Sequence, residues 1–310
     1  MNLNRDATCI WPLAATLGEG PLWREVEQSL YFVDIKKQRL HRLCLPDGTR
    51  HTWPLPEMLC WIIPCLHAPG LVAGLQSGIA YIEPRLAADG PGELHLSWLQ
   101  RLHDPSSTLR LNDAKADAHG SIWFGTMDNL ERDTRAGCLY RLDASGQITC
   151  VDRGYHVSNG PAFSPDGRTL YHTDSARRSV YAFDLDGTGW PLAGSRRLWL
   201  QFDASQGYPD GMTVDSEGAI WIAHWDGACV TRWSAQAQLL ETVPLAAVRP
   251  TSMAFGGPDY RSLLITSASV EGATDPQQGG VWHHRAGVAG MPPCAWGGSA
   301  DLLAAHRPQD

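Results

Sequence analysis

Five short segments place a polar first residue ten to twelve positions ahead of an apolar run: Glu19-Gly20-Pro21, Asn112-Asp113-Ala114, Asn159-Gly160-Pro161, Asp210-Gly211-Met212 and Thr251-Ser252-Met253. Four of those five first positions carry a carboxylate or amide oxygen. If the segments are equivalent pieces of a repeat, Glu19, Asn159 and Asp210 converge, and unpaired carboxylates brought together away from water are costly. A hard cation would neutralise them. Three oxygen donors, with neither Cys nor His among them, favour Ca2+, Mg2+, Mn2+ or Fe2+, with Zn2+ also compatible. Three protein ligands leave positions for water and substrate, as in a catalytic site. The same spacing is equally compatible with Asn and Asp ahead of Gly simply forming turns.

Arg110 stands two residues before Asn112, so on an extended chain it points to the same side, and it is the only basic residue so placed. A solvated arginine is the alternative. Asp34, Asp128, Asp174 and Asp226 follow the apolar runs; most read as Asx-type turn residues, with one or two at the pocket. His156, His172 and His224 read as hydrogen-bonded strand residues. Trp23, Trp123, Trp221 and Trp225 read as packing, although a tryptophan at the site could stack on a ligand ring. His283-His284 reads as surface. No GxSxG elbow, HExxH pair or Walker loop is present, which argues against a common serine hydrolase, a zincin and a nucleotide-dependent enzyme.

The elements that must position these residues are strands. Six β-type runs follow turn signals, beginning at Leu30, Leu71, Ile122, Leu170, Ile220 and Leu263, with successive starts 41, 51, 48, 50 and 43 residues apart. That period holds a four-stranded antiparallel sheet and its turns, so an all-β, six-bladed propeller with one central metal site is predicted. Thr8 to Leu17 reads as an N-terminal strand that closes the last blade, where a final strand is hard to find after Pro293. The single domain then spans 1–310.

Composition agrees. The 310 residues are 43% hydrophobic and 19% charged, with 31 Gly, 21 Pro and 13 Trp, which suits a turn-rich, aromatic-cored globular chain and excludes disorder and collagen. The net charge of −8, with no basic run longer than two residues, argues against nucleic acid and anionic membranes as partners. No apolar stretch is long enough to span a bilayer and no secretory pattern opens the chain, so a cytoplasmic protein, monomeric or weakly oligomeric, is expected. The eight Cys lack CxxC spacing and read as reduced, buried thiols.

These motifs also carry a resemblance. LGEGPLW at 17–23, RLNDAKADAHGSIWFGTM at 110–127, SNGPAFSPDGRTLYHTD at 158–174, YPDGMTVDSEGAIWIA at 208–223 and RPTSMAFGG at 249–257 resemble the gluconolactonase, regucalcin and bacterial sugar-acid lactonase family over nearly the whole chain. The resemblance implies one divalent cation on the propeller axis, held by Glu19, Asn159 and Asp210. It implies Arg110 and Asn112 as contacts for sugar hydroxyls or lactone oxygens, and Asp210 as general base. One departure matters: where the animal regucalcin branch has a substrate-touching Glu after Gly-Thr-Met, GTMDNLERD puts Leu130 there and Glu131 next, so no role is carried over. The implied activity is metal-dependent opening of sugar-acid lactones to aldonic acids. Two other functions fit the same scaffold: an aryl-ester or organophosphate hydrolase, and a non-catalytic calcium- or protein-binding propeller.

Overall fold

A computed structural model describes residues 7–87, 92–104, 106–299 and 302–303. They form six four-stranded antiparallel sheets. The innermost strands are Gly18–Arg24, Leu59–Pro64, Leu109–Ala116, Ser158–Phe163, Tyr208–Val214 and Arg249–Gly256. Each of the six apolar runs lies in the second strand of its sheet, and hairpins then lead outward to a third and fourth strand, as the period predicts. The fold is a six-bladed β-propeller.

The last blade obtains its outermost strand from the other end of the chain. Thr8–Trp11 pairs antiparallel with Val281–Arg285, matching Thr8 to His283 and Trp11 to Val281. This is the closure expected from Thr8–Leu17, with the strand itself confined to four residues. An unpaired row of backbone donors and acceptors is covered, and the ring is fastened.

Adjacent blades are stapled by aromatic pairs built on buried tryptophans, the use expected for most of the tryptophans. Trp61 meets Phe124 with ring centroids 5.9 Å apart, Trp123 meets Phe163 at 5.9 Å, and Trp221 meets Phe255 edge-on at 5.7 Å. The repeat also reuses a turn: Asp117 and Asp215 each accept from two backbone N–H groups of a hairpin turn and from the indole of a buried tryptophan, Trp123 at 2.7 Å and Trp221 at 2.9 Å. A short Asp-to-Trp spacing thus fixes both the turn and the second strand.

Two expectations need correction. His284 is buried at 5% exposure rather than on the surface, because neighbours on a strand face opposite ways and only one of His283 and His284 can point outward. Of the eight free cysteines, only Cys60 and Cys138 are buried, and Cys294 is exposed. Among the described residues no helix is long and apolar enough to cross a membrane.

Candidate active site

The site is built by a defect repeated in every blade. Pairing between first and second strands slips between Glu19 and Leu22, Leu59 and Trp61, Leu111 and Ala114, Asn159 and Ala162, Pro209 and Met212, and Pro250 and Ser252. A bulge breaks strict alternation and re-aims the side chains beside it. Gly20 and Gly160 supply the backbone bend there with φ of +53° and +48°. A Cβ on Gly160 would lie 2.8 Å from the Asp210 carbonyl oxygen, so the residue beside Asn159 must be glycine on two counts.

The first strands of the first, third, fourth and fifth blades open onto a cavity of about 360 Å3 at the hub. Glu19, Arg110, Asn112, Asn159 and Asp210 all line it, so every residue singled out for the site reaches one place from the first, third, fourth and fifth blades. Their side chains form a chain of hydrogen bonds. Arg110 Nη1 donates to Asn112 Oδ1 at 2.5 Å, and Asn112 Nδ2 donates to Ser158 O and Asn159 Oδ1, both at 2.9 Å. Asn159 Nδ2 donates to Ser175 Oγ at 3.1 Å and to Asp210 Oδ1.

Negative charge is crowded here. Burial, then the charges of Glu19 and Asp113, hold the Asp210 carboxyl well above the usual range. Burial and the Asp113 charge raise Glu19, and burial raises Asp113. Arg110 and Lys115 offset this only in part for Glu19. Among the described residues no three His, Cys, Asp or Glu side chains are arranged as a metal cluster; the donors here are two carboxylates and an amide. That set, hard in character and over-charged when alone, fits a divalent cation of the oxygen-loving class.

Several residues at the site were not legible from spacing. Asp113 follows Asn112 and on a regular strand would face away; the bulge between Leu111 and Ala114 lets it reach across to Gly160 N at 3.0 Å. Glu131, given no role above, lines the cavity, whereas Leu130 is 60% exposed. Tyr208 and Trp225 are register partners on the first and second strands of the fifth blade and both line the cavity; Trp23, Trp123 and Trp221 are buried elsewhere.

Of the four aspartates after the apolar runs, Asp226 lines the cavity. Asp34 and Asp174 instead accept backbone N–H groups of the segments entering their own blades, from Thr16 and Leu17 and from His156 and Val157, and Asp128 holds Leu130 N and Arg132. His172 and His224 are buried and hydrogen-bonded to Ser158 and to Gln206 and Thr231, and His156 bonds Asp174 at 3.2 Å. The site thus owes its frame to the turn aspartates and its chemistry to the bulges. At the other end of the channel a second cavity, about 140 Å3, is lined mainly by apolar residues beneath Met291–Cys294.

Comparison with known proteins agrees with this architecture. The family model described as the SMP-30/Gluconolactonase/LRE-like region matches residues 17–269. The 6-deoxy-6-sulfogluconolactonase of Pseudomonas putida is 37% identical, the alignment covering 93% of this chain and 97% of that protein. The pentonolactonase of Haloferax volcanii is 36% identical over 83% of each. The crystal structure of regucalcin, a calcium-binding protein from Agrobacterium tumefaciens, superposes with a TM-score of 0.85 at 26% identity, covering 94% of this chain and 97% of that one.

Proposed function

The chain belongs to the SMP-30/gluconolactonase/LRE-like family, and on that premise we propose that it opens sugar-acid lactones to aldonic acids with the help of one divalent cation. The observation that carries the reading is the convergence of Glu19, Asn159 and Asp210 with Arg110 and Asn112 on one cavity. Relatives named for hexono- and pentonolactones support the substrate class.

A lactone is a cyclic ester. Its hydrolysis adds water to the carbonyl carbon, places negative charge on the carbonyl oxygen, and breaks the bond to the ring oxygen, which leaves as a hydroxyl. Glu19, Asn159 and Asp210 would hold the cation; when bound, it supplies Lewis-acid stabilisation of developing negative charge. The chain's own residues supply orientation and proton handling. Arg110 and Asn112, locked to each other, present a cation and an amide to sugar hydroxyls or ring oxygens. Asp210 is the candidate base that holds the proton of the attacking water. Its work as a base competes with its work as a ligand, because a bound cation draws its pKa down.

Initial rates over a panel of pentono- and hexonolactones, each in a buffer holding one defined cation and again after chelation, test the reading. Lactone opening that never exceeds the spontaneous rate would remove it. Faster turnover of phenyl acetate or a phosphotriester than of any sugar lactone would replace it with another hydrolase.

A further inference from the structure

Beside the hub cavity, which Arg110 lines, two cations share a single neutral atom. Asn129 Oδ1 accepts from Arg110 Nε at 3.2 Å and from Lys36 Nζ at 2.8 Å. Lys36 follows the second strand of the first blade and Asn129 follows that of the third, so the pair is assembled across the channel mouth. Arg110 is only 2% exposed, and the other oxygens it donates to, Leu111 O and Asn112 Oδ1, are also neutral. Among the described residues neither Lys36 nor Arg110 forms an ion pair.

A buried guanidinium is ordinarily matched with a carboxylate, and two like charges sharing one acceptor repel each other. The repulsion is visible at Lys36, where partial desolvation and then the Arg110 charge lower the ammonium's pKa. Glu131 is the carboxylate that faces the pair, and its charge acts the other way. Two cations against one carboxylate leave this cluster positive, while Glu19 and Asp210, in the cavity that Arg110 also lines, mark the place for the cation and the reacting ester.

We infer that the cluster of Lys36, Asn129 and Arg110 beside the cavity receives an anionic group, such as a carboxylate, sulfonate or phosphate, on the exocyclic end of the lactone, making the preferred substrates lactones that carry a second acidic function. The inference rests on the lactonase reading above for its substrate, but not for its charge chemistry. Arg110 contributes a planar donor set suited to an oxyanion and Lys36 a mobile point charge at the rim.

A matched pair of substrates tests it: the γ-lactone of D-glucaric acid, with an exocyclic carboxylate, against the γ-lactone of D-gluconic acid, with a hydroxyl there. Wild-type protein should favour the first by about tenfold in kcat/KM, through KM. Lys36→Met should remove about tenfold of that ratio, and Lys36→Arg should keep most of it. Equal kcat/KM for the two lactones, or a preference that Lys36→Met leaves intact, would overturn the inference. Calorimetric titration with D-glucarate and D-gluconate separates the two readings. If the protein opens no lactone yet binds glucarate more tightly, and Lys36→Met abolishes the difference, the charge inference stands and the lactonase reading falls. Equal binding together with no lactone opening overturns both.

Discussion

The Arg110 guanidinium donates to the side-chain oxygen of Asn112 over 2.5 Å, and the Asn112 amide hydrogens go to Ser158 O and Asn159 Oδ1. One residue therefore couples Arg110 of the third blade, the proposed substrate contact, to Asn159 of the fourth, a proposed cation ligand. Arg110→Ala and Asn112→Ala should each lower kcat/KM on the best lactone by about 30- to 100-fold, from loss of charge-assisted hydrogen bonds. The double variant should be little worse than either single one, with about 1 kcal/mol or more of coupling, because each removes the other's partner. Additive losses would show that the two act separately.

Asp210 shares the hub with Glu19 and Asp113, and the mutual repulsion of these buried carboxylates is strongest when no cation lies among them. Asp210→Asn removes one charge at nearly constant shape. The metal-free variant is expected to be more stable than metal-free wild type, by about 1 to 2 kcal/mol. It should also lose the rise in Tm that added cation gives wild type, together with stoichiometric metal and lactone hydrolysis. Thermal melts with and without chelator, combined with metal analysis, check both halves; stoichiometric metal in Asp210→Asn contradicts the ligand role.

Architecture was legible in the sequence because it is written six times. Runs such as Leu170-Tyr171-His172-Thr173 and Ile220-Trp221-Ile222-Ala223 recur at a sheet-sized period, and Glu19, Asn159 and Asp210 recur in phase with them, so alignment of the repeats found the hub. What alignment missed lay where local geometry departs from the ideal strand. Asp113 is turned inward by a bulge, and Glu131 takes a left-handed conformation, φ +53°, in a loop with no counterpart to align. Lys36 and Asn129 meet through a contact between residues 93 apart, which no spacing within one blade encodes. His284 failed for a simpler reason: a pair of adjacent polar residues looks like surface, but a strand buries one of them.

Tyr208 and Trp225 are cross-strand partners on neighbouring strands of the fifth blade, and each carries a guanidinium over its ring, Arg178 at 4.0 Å and Arg249 at 4.8 Å. Both residues line the cavity, and aromatic faces stack well on the C–H side of a sugar ring. Trp225→Ala should raise KM for lactones by about tenfold with a smaller change in kcat, and Trp225→Phe should restore part of it. A loss confined to kcat would argue that Trp225 shapes the reacting end instead.

Acid should unfold this propeller in part through its buried histidines. Burial holds His41 and His224 at about 4, with Asp34 partly opposing the shift at His41 and a hydrogen bond to Gln206 O partly opposing it at His224. Both are neutral when folded, whereas the unfolded chain takes up their protons near pH 6.5. Their contribution to stability is therefore complete above about pH 6.5 and declines as pH falls towards 4, by about 1.4 kcal/mol per proton per pH unit between those limits. Denaturant melts from pH 7 to 4.5 should show this slope, and His41→Gln should flatten it by one proton's worth. An unchanged slope would mean that His41 stays uncharged in the unfolded chain or charges freely in the fold.

Ring closure depends on four residues at the start of the described chain. Trp11 is 7% exposed and packs edge-on against Phe32 at 5.4 Å and His41 at 5.6 Å, so it ties the borrowed strand of the sixth blade to the body of the first. Trp11→Ala should cost about 3 to 5 kcal/mol in denaturant unfolding, the range for emptying a buried aromatic site. Removal of residues 1–11 should go further, because it also bares the edge of Val281–Arg285, and an exposed strand edge pairs with other chains. Light scattering should then rise with protein concentration for the truncated chain but not for Trp11→Ala. A truncated protein that stays monomeric with an unchanged Tm would mean that the sixth blade holds without its borrowed strand, and that packing between blades, rather than strand exchange, closes the ring.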